Sequence, residues 1–198
     1  MLKGIVFDWG GVLMRTVDAS GRRKWEDKLG LPPYAVDRVV HGSRSWKQAQ
    51  SGAISDAAYW ADVAAQLGLD ETQLAEFRQD YFRGDQLDSD MVEFIRGLRP
   101  RFKTALLSNA SPQLCDLLEA CEVIDLFDVI IISGMVGIQK PDPAIYRLLL
   151  ERLQLAPGET LFVDDFVENI AAAEGVGMRT LHYRPGMDWR AALSRQLS

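Results

Sequence analysis

The sequence predicts a doubly wound α/β fold: a mostly parallel sheet with helices on both faces, plus an inserted helical segment. Five short apolar runs rich in β-branched residues, at 3–7, 104–107, 129–132, 161–163 and 180–183, read as strands. Their near-continuous hydrophobicity suits strands covered on both faces, the usual condition of a parallel sheet. Helical patterns separate the later runs, so crossovers join successive strands. The stretch from 15 to 85 breaks that rhythm and reads as entirely helical. A chain of 198 residues buries roughly 70% of its unfolded surface, enough for one such core with a modest insertion.

The first strand, LKGIVF, delivers Asp8 into a turn containing Gly10 and Gly11. Within the insertion, GRRKWEDK reads as a solvated helix face. Ser55 can cap a helix that places Trp60, Val63, Ala64 and Leu67 on one face and stops at Gly68. Asp70 and Gln73 fit a capping box for the next helix, with Leu74, Phe77 and Tyr81 inward. Helical spacing makes Trp25, Trp46 and Trp60 core residues of this insertion more readily than pocket walls. Ser111-Pro112 offers an N-cap and an N1 proline for a helix running to about residue 122. Asp142-Pro143 does the same for a helix carrying Ile145, Leu148, Leu149 and Leu153. A last helix follows Asp165, with Ile170 and Ala173 inward. The expected organisation is therefore a core from 1–14 and 86–198 with a helical cap from 15–85.

Composition narrows the function. The formal net charge of −6 argues against a nucleic-acid or anionic-membrane partner held by bulk electrostatics, while leaving room for a small anion at a locally positive site. Cys115 and Cys121 match no zinc or redox spacing, which suits a reducing, cytoplasmic compartment. The N-terminal apolar run is short and leads straight into Asp8, unlike a signal peptide. No run approaches the ~20 apolar residues of a membrane span. Two glycine-rich stretches, GMVGIQK and GVGMRT, fit neither a Walker loop nor a dinucleotide turn.

Ligands of an open parallel sheet bind beyond the carboxyl ends of its strands. That rule selects Asp8 after the first strand, Ser108 and Asn109 after the second, Lys140 after the third, and Asp164 and Asp165 after the fourth. Singly, each has a bland reading as a turn residue, a cap or a solvated lysine. Together they fit phosphoryl transfer. A carboxylate can attack phosphorus to give an aspartyl-phosphate that water hydrolyses. Attack of one anion on another needs positive charge, which Lys140 and a magnesium ion would supply. Magnesium prefers oxygen ligands, and Asp8 with Asp165 is the obvious pair.

The motifs FDWGGVL, LLSNAS, GIQKPDPAIY and FVDDFVENI, in this order, resemble the four motifs of the haloacid dehalogenase-like hydrolase superfamily. The helical insertion resembles that superfamily's first type of cap. SGAISDAAYW and VDDFVENI are similar to the branch that contains the phosphatase domain of soluble epoxide hydrolase. The resemblance implies a Rossmann-like core and a magnesium-dependent phosphatase acting on a small phosphorylated metabolite. It makes Asp8 nucleophile and metal ligand, Ser108 and Asn109 phosphate binders, and Lys140 a brace for phosphate and Asp8. Asp165 and the carbonyl of Gly10 become metal ligands, Asp164 holds metal-bound water, and Asn169 supports the loop. One position departs from the pattern: Gly10 stands where the family usually carries an aspartate that protonates the leaving group. Such help is worth roughly 10²–10⁴ in rate. The cap could supply the acid, from His41 or Asp18, or the substrate could need none. A 2-haloacid dehalogenase, which also lacks that aspartate, and a catalytically weak phosphate-binding module are the alternatives.

Overall fold

The structure, a computed structural model, describes residues 1–99 and 101–197. The first apolar run forms β1 (Gly4–Phe7), buried throughout. A short strand β2 (Met14–Thr16) leads into five helices: α1 (Ser20–Leu29), α2 (Ala35–Val40), α3 (Arg44–Gln50), α4 (Asp56–Leu67) and α5 (Glu71–Phe82). Strand β3 (Asp85–Leu87) returns antiparallel along β2. The chain continues through α6 (Ser89–Leu98), β4 (Lys103–Ser108), α7 (Leu114–Ala120), β5 (Val129–Ile132) and the short α8 (Ser133–Val136). It ends with α9 (Pro143–Leu153), β6 (Thr160–Asp164), α10 (Val167–Gly175), β7 (Arg179–His182) and α11 (Trp189–Leu197).

Five parallel strands form one sheet in the order β5-β4-β1-β6-β7. Central β1 has β4 and β5 on one side and β6 and β7 on the other, so the winding direction reverses beside it. That reversal opens a crevice at the carboxyl end of β1, where Asp8 stands. Side chains alternate between two layers, as strand geometry requires. Ile5 and Phe7 pack with Met91 and Ile95 of α6, Leu118 of α7 and Leu193 of α11. Val6 packs with Ile145, Tyr146 and Leu149 of α9 and Ala173 of α10. Asp142 caps α9 through the Ala144 amide at 2.8 Å, with Pro143 in the first turn, as the sequence predicts.

The helices between β2 and β3 have a core of their own, built on Trp25, Val36, Tyr59, Trp60, Val63, Phe77 and Tyr81, with Trp46 packed against it. Burying side chains of this size contributes on the order of 1.5–3 kcal/mol each. Ser55 caps α4 and Gly68 ends it in the left-handed conformation, while Asp70 and Gln73 close the capping box of α5. Arg22 ties this core to the ribbon below it. Its guanidinium lies 4.2 Å from the Tyr81 ring centre and donates to Thr16 Oγ1 at 2.7 Å, Asp85 Oδ1 at 2.9 Å and Asp37 Oδ1 at 2.7 Å.

Two expectations change. The insertion is not helical to its base, because Arg15, Thr16 and Asp85 belong to the β2–β3 ribbon. Helix α1 keeps the solvated face the sequence suggests, through Arg23, Lys24, Asp27 and Lys28, and buries Gly21, Trp25 and Glu26 on the other; a Cβ on Gly21 would overlap the Asp80 carbonyl of α5. Ser111 does not cap α7, which starts at Leu114. The carbonyls of Ser111 and Pro112 instead accept from the amides of Leu114 and Cys115, both at 3.1 Å, so the segment is spent on a turn. Among the described residues no helix is long and apolar enough to cross a membrane.

Candidate active site

Three strand ends and one loop converge beyond β1. Asp8 follows β1 directly, its amide bonded to the Val163 carbonyl of β6 at 3.0 Å. Its Oδ1 accepts from the Trp9 amide at 2.7 Å and from Lys140 Nζ at 2.9 Å. Lys140 Nζ also reaches Asp164 Oδ2 at 2.7 Å, and its side chain is only 1% exposed. The lysine is therefore a buried cation shared by two carboxylates, which offset the cost of burying its charge. Asn109, just after β4, fixes the lysine's backbone by a reciprocal pair. Its amide donates to the Lys140 carbonyl and its oxygen accepts from the Lys140 amide, both at 2.8 Å. Ser108 ends β4 and is buried.

Asp164 is fully committed. Its Oδ1 accepts from the Phe166 amide at 2.8 Å and from Asn169 Nδ2 at 3.0 Å, and Oδ2 meets both Lys140 and Asn169. Asn169 thus supports the loop from α10, as the resemblance implies. Asp165 is the opposite case: its Oδ1 is buried with no hydrogen-bond partner. Oxygens of Asp8, Asp164 and Asp165 lie within 4.8 Å of one another. Three carboxylates here gather beside one ammonium, and one of their oxygens, Asp165 Oδ1, has no hydrogen-bond partner. A hard, oxygen-seeking divalent cation fits that donor set.

The electrostatics agree. Burial pushes the Asp8 carboxyl above the usual carboxylate range, with Lys140 opposing and Asp164 adding to the rise. Burial likewise raises Asp165, helped by the neighbouring Asp164 charge. Lys140 is held above its ordinary value: burial works against its charge, and Asp8 and Asp164 outweigh that cost. A bound cation would favour the ionised carboxylates.

The two glycines of the turn differ. Gly11 adopts φ +76°, and a Cβ there would overlap the Asp165 carboxylate. The Gly11→Ala change should therefore displace Asp165, lower Tm and abolish any stabilisation by magnesium, as thermal denaturation with and without the ion would report. At Gly10 a Cβ would meet no heavy atom within 4 Å. The position is open space beside the site.

The sequence-predicted residues Asp8, Asn109, Lys140, Asp164 and Asp165 are joined by these contacts. His41 and Asp18 are occupied elsewhere. His41 is solvent-exposed beside the Trp46 and Tyr81 rings, and partial desolvation together with the Arg22 charge lowers its pKa. Asp18 accepts from the Ser20 amide and hydroxyl just before α1, both at 2.8 Å. Arg15 bonds Tyr183 Oη at 2.6 Å and pairs with Asp88. Sequence reasoning missed the fit of Gly11 against Asp165. His182, which the sequence reads as a structural strand residue, ends β7 with its Nε2 3.0 Å from the Asp165 carbonyl oxygen.

An aspartate at a central strand end, a lysine-braced acidic cluster and a helical insertion define a hydrolase with an α/β core. The chain belongs to the haloacid dehalogenase-like hydrolase family, whose sequence model matches residues 2–177. It is 29% identical over 204 residues to D-ribitol-5-phosphate phosphatase of Bacteroides thetaiotaomicron, covering 98% of each chain. It is also 29% identical over 182 residues to the sesquiterpene phosphatase astK of Aspergillus oryzae, covering 91% of this chain and 89% of that one. Epoxide hydrolase 2 of Sus scrofa matches 92% of this chain at 26% identity over 36% of its own length. Two solved structures share the fold. A haloacid dehalogenase family enzyme of B. thetaiotaomicron, in complex with magnesium and inorganic phosphate, superposes with TM-score 0.81 at 20% identity, covering 97% of this chain and 99% of that one. The L-2-haloacid dehalogenase of Xanthobacter autotrophicus does so with TM-score 0.69 at 28% identity, covering 100% and 82%.

Proposed function

We propose that this protein is a magnesium-dependent phosphatase that hydrolyses a small phosphomonoester through an aspartyl-phosphate on Asp8. One observation carries the reading: the Lys140 ammonium braces Asp8 and Asp164 beside the unpartnered oxygen of Asp165. The phosphatase relatives support the reaction class. Trp9 N–H and Lys140 hold Asp8 Oδ1, which leaves Oδ2 to attack phosphorus. The bond from phosphorus to the departing oxygen breaks, and that oxygen takes a proton from water, since Gly10 supplies no acid. Water then attacks the phosphoaspartate at phosphorus, releases inorganic phosphate and restores the Asp8 carboxylate. Lys140, Ser108 and the backbone of Asn109 hold the phosphoryl oxygens. Asp8, Asp165 and the Gly10 carbonyl would hold magnesium, which supplies the positive charge that lets one anion approach another. A sugar phosphate is a suitable substrate. The compartment that fits this reading is the cytoplasm, and the boundaries that fit it are a core of 1–14 and 86–198 with a cap of 15–85.

Phosphate release across a panel from p-nitrophenyl and acetyl phosphate to sugar and alkyl phosphates, with magnesium and with chelator, tests the reading. Magnesium-dependent release is expected, and equal release in chelator would oppose it. Because Gly10 has room for a side chain, Gly10→Asp should fold normally. It should also raise turnover of alkyl phosphates by about 10²-fold, with less gain for p-nitrophenyl phosphate, whose leaving group needs no acid. Loss of both activities would mean that another group already occupies that role. The open position at Gly10 and the likeness to the Xanthobacter enzyme favour one second reading, 2-haloacid dehalogenation. Halide release indifferent to chelator would establish it.

A further inference from the structure

Helix α3 of the insertion ends against the core. The Gln50 side chain donates from Nε2 to the Asn109 carbonyl at 2.7 Å. The fully buried Ser133 donates its hydroxyl to the Gln50 carbonyl at 2.6 Å and accepts from the Ala110 amide at 3.1 Å. A second tie runs from Gln139 Nε2 to the Lys47 carbonyl at 2.7 Å. Carbonyls in the last turn of a helix need partners from outside the helical ladder; residues 51–53 supply those of Lys47, Gln48 and Ala49, and the core supplies the partner of Gln50 and a second one for Lys47. Backbones approach closely at the same place. A Cβ on Gly52 would overlap the Gly134 carbonyl, and one on Gly134 would lie 2.8 Å from the Ala110 carbonyl oxygen.

The Asn109 carbonyl and the Ala110 amide belong to one peptide plane. Gln50 holds that plane at its oxygen and Ser133 holds it at its nitrogen. The Asn109 side chain in turn fixes the backbone of Lys140, whose ammonium braces Asp8. Hydrogen bonds linked through the covalent frames of Asn109 and Lys140 therefore run from the insertion to the nucleophile, and Gln50 makes the first of them.

We infer that Gln50 is a positioning residue: through it the docked cap orients the 109–110 peptide, so that docking of the cap and assembly of the anion site are one event. The kinetic consequence rests on the phosphatase reading above; the structural consequence does not. Gln50 is half-buried and makes no contact with the acidic cluster, so its effect on chemistry is indirect.

The test compares wild type with Gln50→Ala, Gln50→Asn and Gln50→Glu, with Gln66→Ala as a control. Gln66 bonds only Asp62 on the exposed face of α4. Two quantities are read: hydrogen exchange of the amides at 108–111, and kcat and KM on p-nitrophenyl phosphate with magnesium. Loss of one such hydrogen bond should speed exchange at 108–111 and lower kcat/KM by about three- to tenfold in the Ala and Asn variants, with Tm lowered by no more than about 4 °C. Glu should be the most impaired, since it keeps the shape but sets an acceptor against the Asn109 carbonyl. Gln66→Ala should match wild type. Wild-type behaviour in Gln50→Glu would overturn the inference and reduce Gln50 to a packing residue, as would unchanged exchange in all three variants. If wild type releases no phosphate at all, the phosphatase reading falls, and the exchange ranking still decides the role of Gln50.

Discussion

Asp8→Asn should reduce phosphate release to below about one thousandth of wild type while leaving the fold intact. Asparagine keeps the size of the side chain and an oxygen that can accept from Trp9 N–H and Lys140, but it cannot attack phosphorus. Losing a nucleophile commonly costs several powers of ten. The fold should survive for an electrostatic reason. Burial holds Asp8 above its ordinary value. A carboxyl raised in the folded state binds protons more tightly there than when unfolded, so its ionisation opposes folding as pH rises through that window. Removing the charge therefore leaves Tm at neutral pH equal or higher. Activity and thermal denaturation on the same preparation separate the two effects. Residual turnover near wild type would end the assignment of Asp8.

Lys140→Met should be the most destabilising of these substitutions. It removes the cation between Asp8 and Asp164, whose side chains are 9% and 0% exposed. Breaking a buried pair by deleting one partner costs roughly 3–5 kcal/mol, because an uncompensated charge stays buried. The loss should depend on pH with a definite sign. Two facing carboxylates without their lysine hold a proton more tightly when folded, so the penalty is small in acid and grows as pH rises above the ordinary carboxylate value. Magnesium should restore part of the stability by supplying the missing positive charge. Lys140→Arg should rescue little, since a planar guanidinium cannot occupy a slot shaped for an ammonium. Urea denaturation across pH, with and without magnesium, reads all of this. A loss independent of pH would mean that packing, not charge, is what Lys140 supplies.

The strands of the core were legible because they are buried on both faces, which writes Ile5, Val6 and Phe7 as an unbroken apolar run. Strand ends then bring Asp8, Asn109 and Asp164 together by topology alone. The ribbon was not legible. Strands of three residues, MRT and DQL, carry no period to read, and they exist because their ends are brought together by the insertion. On α1 the spacing marks Trp25 as core, but the need for Gly21 was hidden among six charged residues, since the glycine's reason is the Asp80 carbonyl on another helix. Contacts that join distant segments share that property. Gly11 is required by Asp165 and Gln50 by Asn109, and neither pairing leaves a local trace in the sequence.

A covalent bond between Asp8 and phosphorus is the step that mass spectrometry of the acid-quenched protein tests most directly. After mixing with acetyl phosphate and magnesium, the peptide containing Asp8 should carry the mass of one phosphoryl group, and chelator should prevent it. Turnover with no adduct on that peptide, or with the adduct on another residue, would contradict the mechanism.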